Sequence, residues 1–338
     1  MRSLVCIKPG ELEYQDTKDI TPLPGHSVIK IKRIGVCGTD LHAFEGTQPY
    51  FDYPRILGHE LSGELAETNN KTSFSQGEKV TFLPYKNCGK CIACRMGKTN
   101  CCTAMQVYGV HIDGGMSDYI QVPDELLVHG NGLAYDELAL VEPLSIAAHA
   151  VRRAAIKENE FVLVAGAGPI GLGIIEFSRL AGAEVIVADV NAQRLNFCQE
   201  KLGIKHTINV MADPVDAKLE SITNGDYPTA VFDATGNRKA ILKSFEYMAH
   251  GARYILVGLQ KEDIVFSHPQ FHKREACLMS SRNATRDDFD FVIRGITSKK
   301  INPLHFISHT ISFEAVKDEF NKWLDPSAGV IKAMIHMN

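Results

Sequence analysis

The sequence predicts an α/β protein that combines a doubly wound parallel sheet with a separate β-rich domain. One observation is the glycine-rich turn at residues 166–171, which follows an apolar strand and opens a helix. Another is a change of pattern along the chain: up to about residue 141, short apolar runs alternate with Gly and Pro, and from there apolar strands alternate with helices. Alternating strands and helices predict a parallel sheet that is covered on both faces.

The length of 338 residues suits two domains. We expect the β-rich domain to cover residues 1–145 and the nucleotide-binding domain to cover residues 146–281. The strands predicted for the second domain are 161–165, 184–189, 206–210, 230–234, 253–258 and 276–280. The remaining residues, 282–338, contain a predicted helix at 313–323 and a terminal strand at 330–336, and we expect this segment to return to the first domain.

Charge and hydropathy exclude several classes of partner. The net charge is −4 and the Lys and Arg residues are scattered, which argues against binding to nucleic acid or to an anionic membrane. The longest apolar stretch, 161–175, contains four glycines and a proline and is shorter than the roughly 20 residues of a membrane helix. The charged N-terminus does not resemble a signal peptide. Nine cysteines, five of them in one short segment, favour metal binding in the cytoplasm over disulfides.

Four cysteines lie within fifteen residues, at positions 88, 91, 94 and 102. Pairs of thiols separated by two residues can bind one tetrahedral ion, and a later thiol completes the coordination. Such a site leaves no position for a substrate, so we expect Cys88, Cys91, Cys94 and one of the neighbours Cys101 and Cys102 to hold a structural zinc ion.

The glycine-rich turn has the spacing of a Rossmann dinucleotide site. Gly166 makes the tight turn, Gly168 lets backbone amides approach a pyrophosphate, and Gly171 lets the helix pack closely on the sheet. Asp189 ends the next strand, where a carboxylate can accept hydrogen bonds from the ribose hydroxyls and repel a 2′-phosphate. NAD is therefore favoured, although Arg194 is close enough in sequence to accommodate the phosphate of NADP.

A second metal site is predicted from residues that are far apart in the sequence. Cys37, His59 and Glu142 offer the sulfur, nitrogen and oxygen ligands of a catalytic zinc ion with one open position. Glu60 is an alternative to Glu142, and the sequence does not distinguish them. Asp40 is a candidate to orient the imidazole of His59, and a turn cap is the other interpretation.

These motifs resemble the zinc-containing medium-chain dehydrogenases over essentially the whole chain, and within them the polyol and threonine dehydrogenase branch. The segments that carry the resemblance are 35–42, 54–60, 141–145, 164–171 and the cysteine run. It implies a GroES-like catalytic domain, two zinc ions per chain with Cys102 as the fourth structural ligand, NAD, and a homodimer or homotetramer. Further stretches resemble bacterial sugar-acid dehydrogenases, with the L-galactonate 5-dehydrogenases as the nearest group.

The resemblance also implies which other residues contact the cofactor: Pro169, Ile170, Val190, Arg194, Val257, Gly258, Leu259, Ser281 and Arg282. Arg282 is further expected to bind the carboxylate or hydroxyls of the substrate. Thr39, two residues from Cys37, could accept the proton of the alcohol, and His42 could release it to solvent.

The predicted function is the transfer of a hydride from a secondary alcohol of a sugar acid or polyol to NAD. Ala43 and Asn283 replace tyrosines that sorbitol dehydrogenases carry by this resemblance, which argues against sorbitol itself. The alternatives are oxidation of an amino alcohol such as threonine, and a non-catalytic sensor that binds NAD.

Overall fold

The computed structural model describes residues 1–49, 51–68 and 73–338. These residues form two units, one made of residues 1–145 and 283–338 and the other of residues 146–282. Within the described residues, no helix has the length and apolar character needed to cross a membrane.

The strands are, in chain order, β1 Arg2–Lys8, β2 Glu11–Asp16, β3 His26–Val36, β4 Arg55–Ile56, β5 Glu60–Glu67, β6 Lys79–Phe82, β7 Tyr85–Lys86, β8 Gln106–Val107, β9 Tyr119–Pro123, β10 Leu127–His129, β11 Phe161–Ala165, β12 Glu184–Asp189, β13 His206–Asn209, β14 Ala230–Asp233, β15 Arg253–Leu256, β16 Cys277–Ser280, β17 Ile307–Ser312 and β18 Lys332–His336.

The α-helices are α1 Gly38–Glu45, α2 Ile92–Arg95, α3 Tyr135–Ala139, α4 Val141–Ala154, α5 Pro169–Leu180, α6 Ala192–Leu202, α7 Val215–Ile222, α8 Arg238–Ser244, α9 His268–Lys273, α10 Arg286–Thr297 and α11 Val316–Trp323.

The first unit is built on a seven-stranded sheet in the order β10-β6-β5-β3-β18-β17, with β9 also paired to β3. Two small sheets accompany it, β2-β1-β4 and β7-β8. Strand β3 is central because it pairs with β5 on one side and with β18 on the other, both antiparallel. Cys37 directly follows the end of β3, and Glu60 is the first residue of β5. The largest fully buried side chains of this unit include Phe82, Phe289, Phe313, Phe320, Leu4, Ile29 and Ile34.

The second unit contains a six-stranded sheet in the order β13-β12-β11-β14-β15-β16, and every adjacent pair is parallel. The order reverses between β11 and β14, which is where open α/β sheets bind ligands at the carboxyl ends of their strands. The inner strands are buried along almost their whole length. The predicted α/β fold class, a parallel sheet with a β-rich partner domain, is confirmed.

Some elements are shorter than the sequence pattern predicts. The strand predicted at 253–258 ends at Leu256, because the next two N–H groups, from Val257 and Gly258, donate to the carbonyl oxygen of Asp233 instead of continuing the ladder. The helix predicted at 313–323 begins as a 3-10 turn, Phe313–Ala315, and becomes α-helical at Val316. Turn geometry of this kind leaves no trace in apolar periodicity.

Candidate metal and dinucleotide sites

The four clustered cysteines converge in the structure. The Sγ atoms of Cys88, Cys91, Cys94 and Cys102 all lie within 4.8 Å of one another. The short helix α2 begins directly after Cys91 and carries Cys94, so one helical turn places two of the sulfur atoms. Cys101 is exposed and lies outside this set.

Backbone amides point at these sulfur atoms. The Cys91 N–H donates to the Sγ of Cys88 at 3.4 Å, and the Cys102 Sγ accepts from the N–H groups of Cys88 at 3.2 Å and Ala104 at 3.4 Å. Hydrogen bonds that favour a thiolate are what a metal site needs, because the thiolate is the ligand.

The pKa values of two of these thiols move in opposite directions. Backbone N–H groups of Cys94 and Thr103 lower the pKa of Cys91 to about 5. Burial raises the pKa of Cys102 to about 11. A bound cation would favour the deprotonated form of both, and the donor set of four sulfur atoms fits a closed zinc site.

Three of the residues predicted for the catalytic metal also converge. Ligand atoms of Cys37, His59 and Glu60 lie within 4.8 Å of one another. Cys37 follows β3 and caps α1. His59 directly precedes β5, and Glu60, the first residue of that strand, pairs with Gly35 of β3. Strand pairing therefore brings together ligands that are separated by more than twenty residues.

Asp40 links the two segments that carry these ligands through hydrogen bonds. Its carboxylate accepts hydrogen bonds from the N–H of Cys37 at 2.9 Å and from the N–H of Gly58 at 3.0 Å. Its Oδ1 lies 3.7 Å from the Nδ1 of His59, a nitrogen that is buried and lacks a hydrogen-bond partner among the described residues. Asp40 thus acts as a cap and faces the imidazole, so both interpretations of this residue describe part of its environment.

Glu142 lies outside the set of three but close enough for its charge to act on His59. It sits in the first turn of α4 and is only 2% exposed. The phenol of Tyr85 donates a hydrogen bond to its Oε1, and Oε2 is buried without a partner in the described part of the chain. Burial raises the pKa of this carboxyl to about 7.

Two polar residues of this site, Tyr85 and Lys332, are not predicted from the sequence. The ammonium group of Lys332 donates to both carboxylate oxygens of Glu60 at 2.6 Å and to the carbonyl oxygen of Val36 at 3.1 Å. Lys332 is 2% exposed. A lysine inside an otherwise apolar terminal strand was the available signal, but nothing in the sequence identifies its partner.

The donor set fits a zinc ion with one open position. It offers a thiol, an imidazole and the carboxylate of Glu60 within 4.8 Å of one another, with Glu142 outside that set, and such mixed ligands are typical of catalytic zinc sites. Three acidic side chains of this region, Asp40, Glu60 and Glu142, are buried, and so is the ammonium group of Lys332. A buried carboxylate oxygen without a partner is costly, and a cation bound beside Glu142 would remove that cost.

The residues predicted to transfer the proton lie on α1, which starts directly after Cys37. Thr39 is half-buried in its first turn. His42 lies one turn further and its side chain is 61% exposed. Its Nδ1 lies 3.3 Å from the hydroxyl of Thr47 and 3.6 Å from Glu45.

The glycine turn of the second unit leaves room for a ligand at one position only. Gly166 has φ of 99° and a Cβ there would lie 3.0 Å from the side chain of Thr235. A Cβ at Gly171 would overlap the carbonyl oxygen of Gly166, so the helix packs tightly on the turn. At Gly168 the nearest atom would be the guanidinium of Arg194, 3.9 Å away. Pro169 and Ile170 open helix α5, whose N-terminus follows this open position.

Asp189 ends β12 and both of its carboxylate oxygens are engaged by the backbone. Oδ2 accepts from the N–H of Ala167 at 2.6 Å, and Oδ1 accepts from the N–H of Asn191 at 2.7 Å. Each oxygen retains a second lone pair that can accept a hydroxyl. Asn191 caps α6 and accepts from the N–H of Arg194.

The remaining predicted cofactor residues follow the carboxyl ends of β12, β15 and β16. Val190 and Leu259 are 62% and 72% exposed. Ser281 is buried, with a hydroxyl that lacks a partner among the described residues, and Arg282 is exposed directly after it.

Comparisons with known proteins agree with this geometry. Residues 23–131 match the alcohol dehydrogenase GroES-like domain, and residues 169–298 match the zinc-binding dehydrogenase domain. The chain is 40% identical to L-galactonate-5-dehydrogenase of Escherichia coli over 99% of this chain and 98% of that protein. It is 35% identical to the starvation-sensing protein RspB of Escherichia coli over 94% of each chain.

Solved structures show the same fold. The NADH complex of rspB from Escherichia coli, described as an alcohol dehydrogenase, superimposes with a TM-score of 0.92 at 30% identity and 99% coverage of both chains. A zinc-binding dehydrogenase of Sinorhizobium meliloti bound to NADP superimposes with a TM-score of 0.91 at 25% identity, covering 99% of this chain and 98% of that one. Relatives with the fold of this chain therefore bind nicotinamide dinucleotides.

Proposed function

Since this chain belongs to the zinc-type medium-chain alcohol dehydrogenases, we propose that it oxidises a secondary alcohol of a sugar acid of the L-galactonate type with NAD. The observation that carries the chemistry is the convergence of Cys37, His59 and Glu60 beside the buried carboxylate of Glu142. The similarity to L-galactonate-5-dehydrogenase over the whole chain supports the substrate class.

In this proposal Cys37, His59 and one glutamate hold the catalytic zinc ion, and the four-cysteine set holds a second, structural one. When bound, the catalytic ion supplies a Lewis acid that lowers the pKa of the substrate hydroxyl. Asp40 keeps the Cys37 and His59 segments in register through its two backbone hydrogen bonds. The protein's own contribution is thus a ligand set that strand pairing and Asp40 bring together.

The reaction requires that a proton and a hydride leave the alcohol. The hydroxyl of Thr39 would accept the proton of the alcohol while it releases its own, and the exposed imidazole of His42 would pass a proton to solvent. When bound, NAD would supply the acceptor for the hydride, and the alcohol would become a ketone. The glycine turn and the N-terminus of α5 would hold the pyrophosphate of the cofactor.

A sugar acid also presents a carboxylate that needs a cation. Arg282 is exposed directly after Ser281, at the carboxyl end of β16. A guanidinium binds a carboxylate through two parallel hydrogen bonds. A polyol has no carboxylate and therefore cannot form this contact. We assign Arg282 this contact, together with a contact to the cofactor.

The cofactor preference, the assembly and the location complete the proposal. Asp189 at the end of β12 favours NAD over NADP, since a carboxylate there repels a 2′-phosphate. Cysteines that serve as metal ligands suit a reducing cytoplasm. By analogy with its family, the chain forms a homodimer or homotetramer.

The test measures NADH formation with a panel of aldonates, alditols and threonine, with and without a zinc chelator. We expect turnover of an aldonate that the chelator abolishes, and a loss of turnover but not of NAD binding in Cys37→Ser. Cys101→Ser, which alters an exposed thiol outside both sets, is the control and keeps its activity. Turnover of threonine alone would move the chain to amino-alcohol oxidation, and NAD binding without any turnover would make it a sensor.

A further inference from the structure

We propose that Tyr85 is a positioning residue of the catalytic metal site: its hydroxyl holds Glu142 by one oxygen and leaves the other free for the ion. The inference rests on the proposed zinc chemistry and assigns Glu142, rather than Glu60, as the resting carboxylate ligand. It is carried by the different hydrogen bonding of the two glutamates.

Glu60 is already fully engaged. Both of its oxygens accept from the ammonium group of Lys332 at 2.6 Å. The backbone of Gly35 also lies against this carboxylate, because a Cβ at that glycine would overlap Oε2 and lie 3.0 Å from the Cβ of Glu60. Binding a zinc ion through Glu60 would compete with an ion pair that has little space to rearrange.

Glu142 is engaged by one oxygen only. Its Oε1 accepts from Tyr85, and its buried Oε2 has no partner in the part of the chain that the structure describes. Buried polar atoms are almost always hydrogen-bonded, and an exception calls for a missing partner. A cation at the adjacent ligand set is the partner that the surrounding thiol and imidazole would also bind.

The phenol of Tyr85 is held firmly in this position. Its side chain is 5% exposed, and its ring packs edge-on against Phe289 with the centroids 6.4 Å apart. Its strand, β7, pairs with β8 through Tyr85 and Val107. The buried hydroxyl cannot turn to solvent and satisfies its donor through Glu142.

The test is Tyr85→Phe in the full-length protein, a change that keeps the ring and removes the hydroxyl. Zinc affinity is measured by competition with a chromogenic chelator, and the Cys37→Ser variant identifies which of the two classes of zinc belongs to the catalytic site. We expect catalytic-site affinity to fall about 10- to 100-fold, as for other residues that orient metal ligands. The visible spectrum of the cobalt-substituted protein should change as well.

Tyr135→Phe is the matched control, because it removes another tyrosine–glutamate hydrogen bond of the same unit, 3.2 Å to Glu64, away from the ligand candidates. It should leave both readouts unchanged. A second variant, Glu142→Asp, keeps the charge and withdraws the carboxylate from the phenol by one methylene. It should weaken zinc binding in the same direction even where Tyr85→Phe proves too unstable to purify.

A mutant cycle separates positioning from a general structural role. In a Glu142→Gln background, Tyr85→Phe should have no further effect on catalytic zinc affinity. An equal loss in both backgrounds, or wild-type affinity and cobalt spectrum in Tyr85→Phe, overturns the inference. If Tyr85→Phe weakens zinc binding but the wild-type protein turns over no alcohol, the proposed function is wrong and this inference stands. If the wild-type protein turns over its substrate and Tyr85→Phe has normal turnover and unaltered zinc binding, this inference is wrong and the proposed function stands.

Discussion

Lys332 and Glu60 form a buried ion pair in which the ammonium group lies 2.6 Å from each carboxylate oxygen. Their side chains are 3% and 1% exposed. Removing both charges from water is costly, and the pair is tolerated only because it is close and because the carbonyl oxygen of Val36 accepts a further hydrogen bond. The pair ties the start of β18 to the start of β5 at the edge of the candidate catalytic site.

Lys332→Met should therefore destabilise the first unit strongly. The substitution leaves the Glu60 carboxylate buried without its cation, which costs about 3–5 kcal/mol in comparable cases. Trp323 is the one tryptophan of the sequence, lies in the first unit and is 6% exposed. Its fluorescence in a urea titration reports the unfolding of that unit.

Two variants control this measurement. The double substitution Lys332→Met with Glu60→Gln should recover a large part of the loss, because no unpaired charge remains. Lys8→Met removes an exposed pair with Glu11, with side chains 66% and 38% exposed, and should change stability by less than about 1 kcal/mol. Equal effects of Lys332→Met and Lys8→Met would contradict the role given to the buried pair.

The separation of two contacting residues along the chain decides whether the sequence could predict their contact. The cysteine set could be predicted because its members lie within fifteen residues, and the glycine turn because its members lie within six. In both cases the spacing along the chain indicates the geometry. Lys332 lies 272 residues from Glu60, and Tyr85 lies 57 residues from Glu142. Contacts over such separations arise from tertiary packing, and a single sequence contains no direct record of it.

The secondary structure elements also differ in how well the sequence predicts them. The strands β11, β12 and β14 are apolar along their length, and that run predicts a covered parallel sheet. Strands of two residues, such as β4, β7 and β8, are too short to show any alternation. Yet β7 places Tyr85, so part of the site depends on an element that periodicity cannot reveal.

Cys102→Ser should remove one zinc ion per chain, whereas Cys101→Ser should not. The Sγ of Cys102 belongs to the four-sulfur set and Cys101 is exposed outside it. Metal analysis of both purified variants by atomic emission gives the stoichiometry directly. Loss of zinc from Cys101→Ser with retention in Cys102→Ser would reverse the two roles.

Alkylation of the zinc-free protein should show a thiol that reacts in mildly acidic solution. Backbone N–H groups of Cys94 and Thr103 lower the pKa of Cys91 to about 5. The thiolate is the reactive form and predominates above the pKa, so the rate of iodoacetamide labelling at Cys91 should reach half its plateau near pH 5. Mass spectrometry of peptides labelled across a pH series measures the rate at each cysteine.

Cys102 is the internal comparison in that experiment. Burial raises its pKa to about 11, so its labelling should remain slow throughout the neutral range and rise only in alkaline solution. Zinc should protect both residues, because metal coordination removes the nucleophile. Identical pH profiles for Cys91 and Cys102 would show that the backbone amides do not differentiate the thiols.

Asp189→Ala should weaken NAD binding and relax the discrimination against NADP. The wild-type carboxylate is expected to accept the ribose hydroxyls, and hydrogen bonds to a charged group contribute about 1.5–3 kcal/mol, or roughly 10- to 100-fold in affinity. Without that carboxylate a 2′-phosphate meets less repulsion, and Arg194, near Gly168, remains to pair with it. Adding Arg194→Ala should therefore abolish the NADP binding that Asp189→Ala gains.

Titration of both cofactors by fluorescence, with the exposed Asp226→Ala as control, measures these affinities. A wild-type preference for NADP that depends on Arg194 would instead show that the arginine outweighs the carboxylate.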